Sequence, residues 1–210
     1  HCPLNNKDRQ FTSEEMKDMK NLMQGAKNSV LPILAGTVLI KGISVIHNCP
    51  ALSDATAAIK ILRHLGATVS CEGHTVTVDS REITAFDIPD ELMREMRSSI
   101  FFLGAISARM GRAVLSSPGG CELGPRPIDL HLSALNELGL TIDEGGGVLN
   151  CSCPNGYIGA DINLSFPSVG ATENIILAAV TAKGVTRING AAKEPEISDL
   201  ADFLNSAGAN

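Results

Sequence analysis

The chain repeats itself. Three amphipathic segments, AAIKILRHLGATV, LSALNELGLTI and LADFLNSAGAN, carry apolar residues at i, i+3, i+4 and i+7 and stop at Gly66, Gly139 and Gly208. Glycine after the last periodic residue suits the left-handed position that closes a helix. Gly66 to Gly139 is 73 residues and Gly139 to Gly208 is 69. A second trio lies upstream of the first: SVLPILAGTVLIKGISVI, SSIFFLGAISARMGRAVL and ENIILAAVTAKGVTRI. Each reads as a small, apolar helix, then a glycine (Gly42, Gly111, Gly184), then a β-branched strand. These glycines are 69 and 73 residues apart. Two independent markers with one period of about 70 residues define a threefold repeat.

Each unit reads as helix, strand, loop, helix and strand pair. The upstream helices are apolar nearly all round and are expected to be buried; the downstream helices carry one charged face and are expected to lie outside. The first strand pair, TVSCEGHTVTVD, is expected to turn at Glu72-Gly73, and a second, looser pair to surround Gly145-Gly146-Gly147. The fold class is therefore α/β, three buried helices wrapped by sheets. The third copy stops at Asn210 after its second helix, so internal comparison gives a third repeat without its last hairpin.

Composition narrows the function classes. With 44% hydrophobic and 19% charged residues the chain is globular, and with no Trp and one Tyr its core is aliphatic. A net charge of −6 gives no broad basic face for nucleic acid. The most apolar run, Ser29 to Ile46, is broken by Pro32, Lys41 and two glycines, so no membrane span is read. Cys151-Ser-Cys153 is too close for a clean zinc pair and no second cluster completes one, so no metal or cofactor is expected. The absence of a secretory pattern and of a disulfide framework reads as a reduced, cytoplasmic protein. Residues 1–24 belong to no copy; TSEEMKDMKNLMQ within them has capping-box spacing and a Met16, Met19, Met23 face, a short amphipathic helix.

The stretch SSPGGCELGPRPIDLH sets Cys121 behind Gly119 and Gly120 and ahead of Arg126, which lies between Pro125 and Pro127. A reactive thiol on a loop that opens and closes competes here with an inert thiol in a turn. Lys27 and Asn28 open the first upstream helix; a lysine there works against the helix dipole unless an anion is held. Arg97 occupies the matching start in the second repeat. Ser168, Val169 and Gly170 open the third, able to offer a hydroxyl and backbone N–H groups to phosphate, or simply to cap the helix.

GAKNSVLPILA, MRSSIFFLGA, PGGCELGPRPIDLH, FPSVGATENIILAA and EPEISDLADFL together resemble the UDP-N-acetylglucosamine 1-carboxyvinyltransferase family, from about Gly25 to Asn210. The resemblance implies an inside-out α/β barrel of three βαβαββ units, one of two similar domains, with residues 1–24 a non-family extension, 25–210 the cysteine-loop domain and its third repeat truncated. It implies transfer of enolpyruvyl from phosphoenolpyruvate to the 3′-hydroxyl of UDP-N-acetylglucosamine, the opening step of peptidoglycan synthesis. By the same resemblance Cys121 is the acid and adduct-forming thiol alkylated by fosfomycin, and Lys27 and Asn28 hold phosphoenolpyruvate. Arg97 and Arg126 face phosphate. Pro127, Ile128, Asp129, Leu130 and His131 form the uridine-contacting run, although Asp129 can equally cap its helix. Ser168, Val169 and Gly170 cradle the diphosphate. Glu194 lies near the sugar, with capping as its rival role.

Three positions depart from the family: Asp54-Ala55-Thr56 lacks a second acid, Phe166 replaces a lysine, and Phe101 replaces a larger aromatic. The partner implied is the family's other domain, which carries the base and further arginines, so the chain alone is expected to turn over poorly. Two rivals remain. The shikimate-pathway enolpyruvyl transferase, 3-phosphoshikimate 1-carboxyvinyltransferase, shares the fold without the PGGC loop, and a non-catalytic repeat-built binding module is compatible with the repeats.

Overall fold

The computed structural model describes residues 28–96, 98–116 and 128–209. The Met-faced helix foreseen before residue 25 lies outside them. The first repeat contains α1 (Val30–Gly36), a 3-10 turn (Thr37–Leu39), β1 (Ile43–Ile46), α2 (Ser53–Leu65), β2 (Thr68–Glu72) and β3 (Thr75–Asp79). The second contains β4 (Asp87–Ile88), a short α3 (Asp90–Glu95), α4 (Phe101–Met110), β5 (Arg112–Ser116), α5 (Asp129–Glu137), β6 (Thr141–Gly145) and β7 (Val148–Ser152). The third contains β8 (Asp161–Asn163), α6 (Val169–Ala179), β9 (Arg187–Asn189) and α7 (Pro195–Ser206).

The upstream helices are the inner ones. Every residue of α1 is buried, as are Phe102–Ser107 of α4 and most of α6. Pro32 is tolerated in α1 because it falls in the first turn, where its missing N–H has no helical partner. Helices α2 and α7 each bury one apolar stripe, and α2 places Asp54 in its first turn and Arg63 and His64 in its last, in the sense the helix dipole favours.

The sheets repeat the unit too. In the second repeat the order is β4-β5-β7-β6, with β4 and β5 parallel across α4 and the remaining pairs antiparallel. The first repeat shows β1-β3-β2 in the same relative order, and the third shows the parallel β8-β9 pair across α6.

Gly66, Gly139 and Gly208 have φ of 108°, 105° and 102°, the left-handed helix stops expected of them. At Gly66 a Cβ would also stand 2.7 Å from the Glu82 carbonyl oxygen. The upstream glycines are less uniform: Gly111 and Gly184 are left-handed, whereas α1 passes into its 3-10 turn and Gly42 is not. Two corrections concern the hairpins. Glu72 pairs with Thr75, so the first loop is Gly73-His74, one residue beyond the expected turn. Gly145 pairs with Val148, so the second hairpin has an equally short loop, Gly146-Gly147, with both residues at positive φ, rather than a looser one.

The repeats are tied by polar contacts where helix surfaces meet. Arg109, in α4, donates from Nη1 to the Val38 carbonyl (2.8 Å) and from Nη2 to the Ser80 carbonyl (2.7 Å), joining repeats one and two. Among the described residues no helix is long and apolar enough to cross a membrane.

Candidate functional site at the helix N-termini

The start of α6 is the best-defined part of the site. Ser168 caps it: its Oγ accepts the Ala171 N–H at 3.3 Å. The Thr172 hydroxyl donates to the Ser168 carbonyl (2.8 Å) and accepts from the Ala192 N–H (3.1 Å), which pins the segment before α7 onto the same turn. Gly170 is where other chains come close. A Cβ there would lie 2.8 Å from Cε1 of Phe101, at the start of α4, and 3.2 Å from Cε1 of His131, in the first turn of α5. Glycine at this position therefore lets three helix starts meet.

One turn further, Asn174 is fully buried and spends its whole amide on the neighbours. Its Oδ1 accepts the Gly104 N–H (2.8 Å), and its Nδ2 donates to the Ile100 carbonyl (3.0 Å) and to Nδ1 of His131 (3.1 Å). His131 is itself buried, and desolvation pushes its pKa down to about 4. It is a neutral imidazole at working pH.

A second polar group lies where α1, α6 and α7 meet. Glu173 is buried, and desolvation first, then the neighbouring Glu196 carboxylate, raises its pKa to about 8. Glu196, in the first turn of α7, accepts from the Asn28 amide (3.2 Å), and Ser29 Oγ donates to Asp199. The starts of α1, α4, α5, α6 and α7 thus gather at one end of the molecule. Unpaired backbone N–H groups at several helix starts make such an end receptive to anions.

The expected site residues fall into three groups. Cys121, Lys27, Arg97, Arg126 and Pro127 lie outside the described residues. His131 and Gly170 meet directly, with Ser168 and Val169 at the same helix start. Ile128 is the half-buried N-cap of α5, with no side-chain capping bond, the exposed Asp129 is the helix's first residue, and Leu130 is half-buried beside them. Asn28 is exposed and joined to Glu196. Glu194 is exposed at the N-cap of α7, its Oε2 accepting the Lys193 N–H; the acid joined to Asn28, just before α1, is Glu196, two residues on. Of the departures, Phe166 is 53% exposed, and Phe101 packs against Gly170.

Glu173, Asn174 and Glu196 were not singled out from sequence. The signal was present: Glu-Asn interrupts the apolar run GATENIILAA in a helix expected to be buried on most sides.

The fold and the clustered helix starts define a class, and comparison with known proteins names it. The sequence profile of the EPSP synthase (3-phosphoshikimate 1-carboxyvinyltransferase) family matches residues 21–210, and the chain belongs to that family. Its curated relatives are more particular. It is 56% identical over 187 residues to UDP-N-acetylglucosamine 1-carboxyvinyltransferase 2 of Caldanaerobacter subterraneus subsp. tengcongensis, covering 89% of this chain and 45% of the relative. It is 48% identical over 192 residues to UDP-N-acetylglucosamine 1-carboxyvinyltransferase 1 of Symbiobacterium thermophilum, covering 89% and 44%. The chain therefore spans under half the length of these relatives.

Among solved structures, the enolpyruvyl transferase NikO from Streptomyces tendae superposes with a TM-score of 0.78 at 22% identity, over 89% of this chain and 44% of that one. EPSP synthase from Acinetobacter baumannii superposes with a TM-score of 0.65 at 18% identity, over 83% and 41%. At such identities these two show the fold. The high identities to UDP-N-acetylglucosamine enzymes weigh against the shikimate-pathway alternative.

Proposed function

We propose that the whole protein transfers enolpyruvyl from phosphoenolpyruvate to the 3′-hydroxyl of UDP-N-acetylglucosamine, and that residues 25–210 are its cysteine-loop domain. The observation that carries the reading is the convergence of helix starts around Gly170 and the neutral, buried His131. A nucleotide diphosphate fits such an end: N–H groups at the start of α6 receive its oxygens while the α5 start, Ile128 to His131, faces the uridine. Lys27, Arg97 and Arg126 stand one, three and two residues before Asn28, Ile100 and Ile128 in the chain, so the cations the resemblance assigns to phosphate precede these same helix starts.

In the reaction the 3′-oxygen attacks C2 of phosphoenolpyruvate while C3 takes a proton from the Cys121 thiol. Loss of phosphate from C2 with return of a C3 proton restores the double bond. A thiol suits this exchange because cysteine ionises closer to working pH than a hydroxyl, and nearby cations favour its thiolate. The base and further arginines belong to the other domain, so this chain binds and the whole enzyme turns over. The setting is the cytoplasmic opening step of peptidoglycan synthesis, with Cys121 the site of fosfomycin alkylation.

Calorimetric titration of the chain with UDP-N-acetylglucosamine tests the reading. A saturable heat with one site is expected, accompanied by little phosphate release when phosphoenolpyruvate is added. A flat titration would leave the non-catalytic repeat module as the better account.

A further inference from the structure

The buried amide of Asn174 has a consequence for His131 that neither the family nor the resemblance assigns. The Gly104 backbone N–H can only donate, so the Asn174 atom 2.8 Å from it is the carbonyl oxygen. The other end is then the NH2 group, and the Ile100 carbonyl, which can only accept, agrees with that orientation at 3.0 Å. The second amide hydrogen is directed at Nδ1 of His131, 3.1 Å away. A nitrogen that receives a hydrogen bond carries a lone pair, so the neutral ring must hold its proton on Nε2.

That nitrogen lies on the side of the ring facing α6, 3.5 Å from where a Cβ on Gly170 would stand, and no described residue accepts from it. His131 is 8% exposed. The ring is buried but its Nε2 edge is not sealed, so a ligand oxygen can reach this N–H beside a helix start whose first N–H groups lack helical partners.

We propose that Asn174 is a positioning residue that locks His131 as an Nε2–H donor, and that this donor serves a phosphate oxygen of the nucleotide at the start of α6. The assignment of the ligand rests on the functional reading above; the assignment of the tautomer does not. The contrast with an ordinary core histidine is chemical. If Nδ1 held the proton, Asn174 would present hydrogen to hydrogen and Nε2 would repel an anionic oxygen with its lone pair. With the lock in place the site offers a donor at neutral pH without placing a full charge in a buried position.

Nitrogen-15 NMR of the histidine-labelled chain reads the tautomer without any variant. A protonated Nε2 and a lone-pair Nδ1 at neutral pH are expected for His131, and the reverse assignment, or an even mixture, would overturn the lock. In Asn174→Ala the ring is expected to become a mixture of tautomers, and uridine diphosphate, titrated in parallel, to bind about tenfold more weakly, the worth of one charge-assisted hydrogen bond. Uridine, which lacks the phosphates, should lose clearly less affinity than uridine diphosphate. Unchanged uridine diphosphate affinity, or an equal loss for uridine, would remove the phosphate contact. A chain that binds no uridine diphosphate at all would sink the functional reading and the phosphate contact together, while the nitrogen spectra still decide the tautomer.

Discussion

The Asn28 amide donates to the Glu196 carboxylate at 3.2 Å, joining the first helix of the first repeat to the last helix of the third. The contact closes the ring of helix starts and holds a carboxylate beside the buried Glu173.

The burial of Glu173, and secondarily the Glu196 carboxylate beside it, set a pH dependence. Folded Glu173 keeps its proton up to about pH 8, whereas the unfolded side chain releases it near its ordinary value of 4.5. Between those values the folded state binds more protons, so this contribution to stability falls as pH rises. His131 works the other way: its pKa drops from 6.5 to about 4 on folding, so its contribution is lost as pH falls through that range. Between pH 6.5 and pH 8 the Glu173 effect dominates among the described residues, the raised thiols acting only at higher pH. The melting temperature is expected to decline between pH 6.5 and pH 8, by about 5 °C for a loss of about 2 kcal/mol. Glu173→Gln should flatten that decline in a thermal melt series, and a variant that declines as steeply as the parent would show that another group is responsible.

The closest helix crossing gives a stability test. A Cβ on Gly104 would stand 2.5 Å from both the backbone oxygen and Oδ1 of Asn174. Helices α4 and α6 can approach only because Gly104 has no side chain. Gly104→Ala should force them apart at a cost of about 3 kcal/mol, lowering the melting temperature by roughly 10 °C. A melt within a degree of the parent would mean that the two helices are not packed as described.

Thiol chemistry should single out one loop. Burial pushes the Cys151 thiol up to about 11 and raises those of Cys49 and Cys153, so little nucleophilic thiolate forms at these sites at neutral pH. Cys71 is exposed. Peptide mapping after brief alkylation at pH 7 should find Cys49, Cys151 and Cys153 unmodified and a fast-reacting site that Cys121→Ser removes. Early modification of Cys151 would contradict this order.

Local chemistry made much of the fold legible. A glycine that ends a helix does so through its own φ, so Gly66, Gly139 and Gly208 could be read without knowing what packs around them. The inner and outer helices are distinguishable from the periodicity of their apolar residues and the charged face of the outer ones. The hairpin loop Gly73-His74 lies one residue beyond the turn its sequence suggests because cross-strand pairing, not the glycine, sets its register. Short α3 leaves no signal in the sequence, because six residues carry too little periodicity to show. Glu196, two residues beyond the more prominent Glu194, acquires a partner only when α7 docks on α1. Asn174 likewise looks like a blemish in an apolar helix until Gly104, Ile100 and His131 are brought to it.

The central claim is that anionic ligand is received where the inner helices begin. Amide chemical-shift mapping of the labelled chain during titration with UDP-N-acetylglucosamine tests it most directly. The largest saturable shifts are expected at Val169, Gly170 and Ala171, with His131 and its α5 neighbours moving in step. Shifts concentrated at the opposite ends of the inner helices, around Thr37, Gly111 and Val180, or no saturable shifts at all, would contradict it.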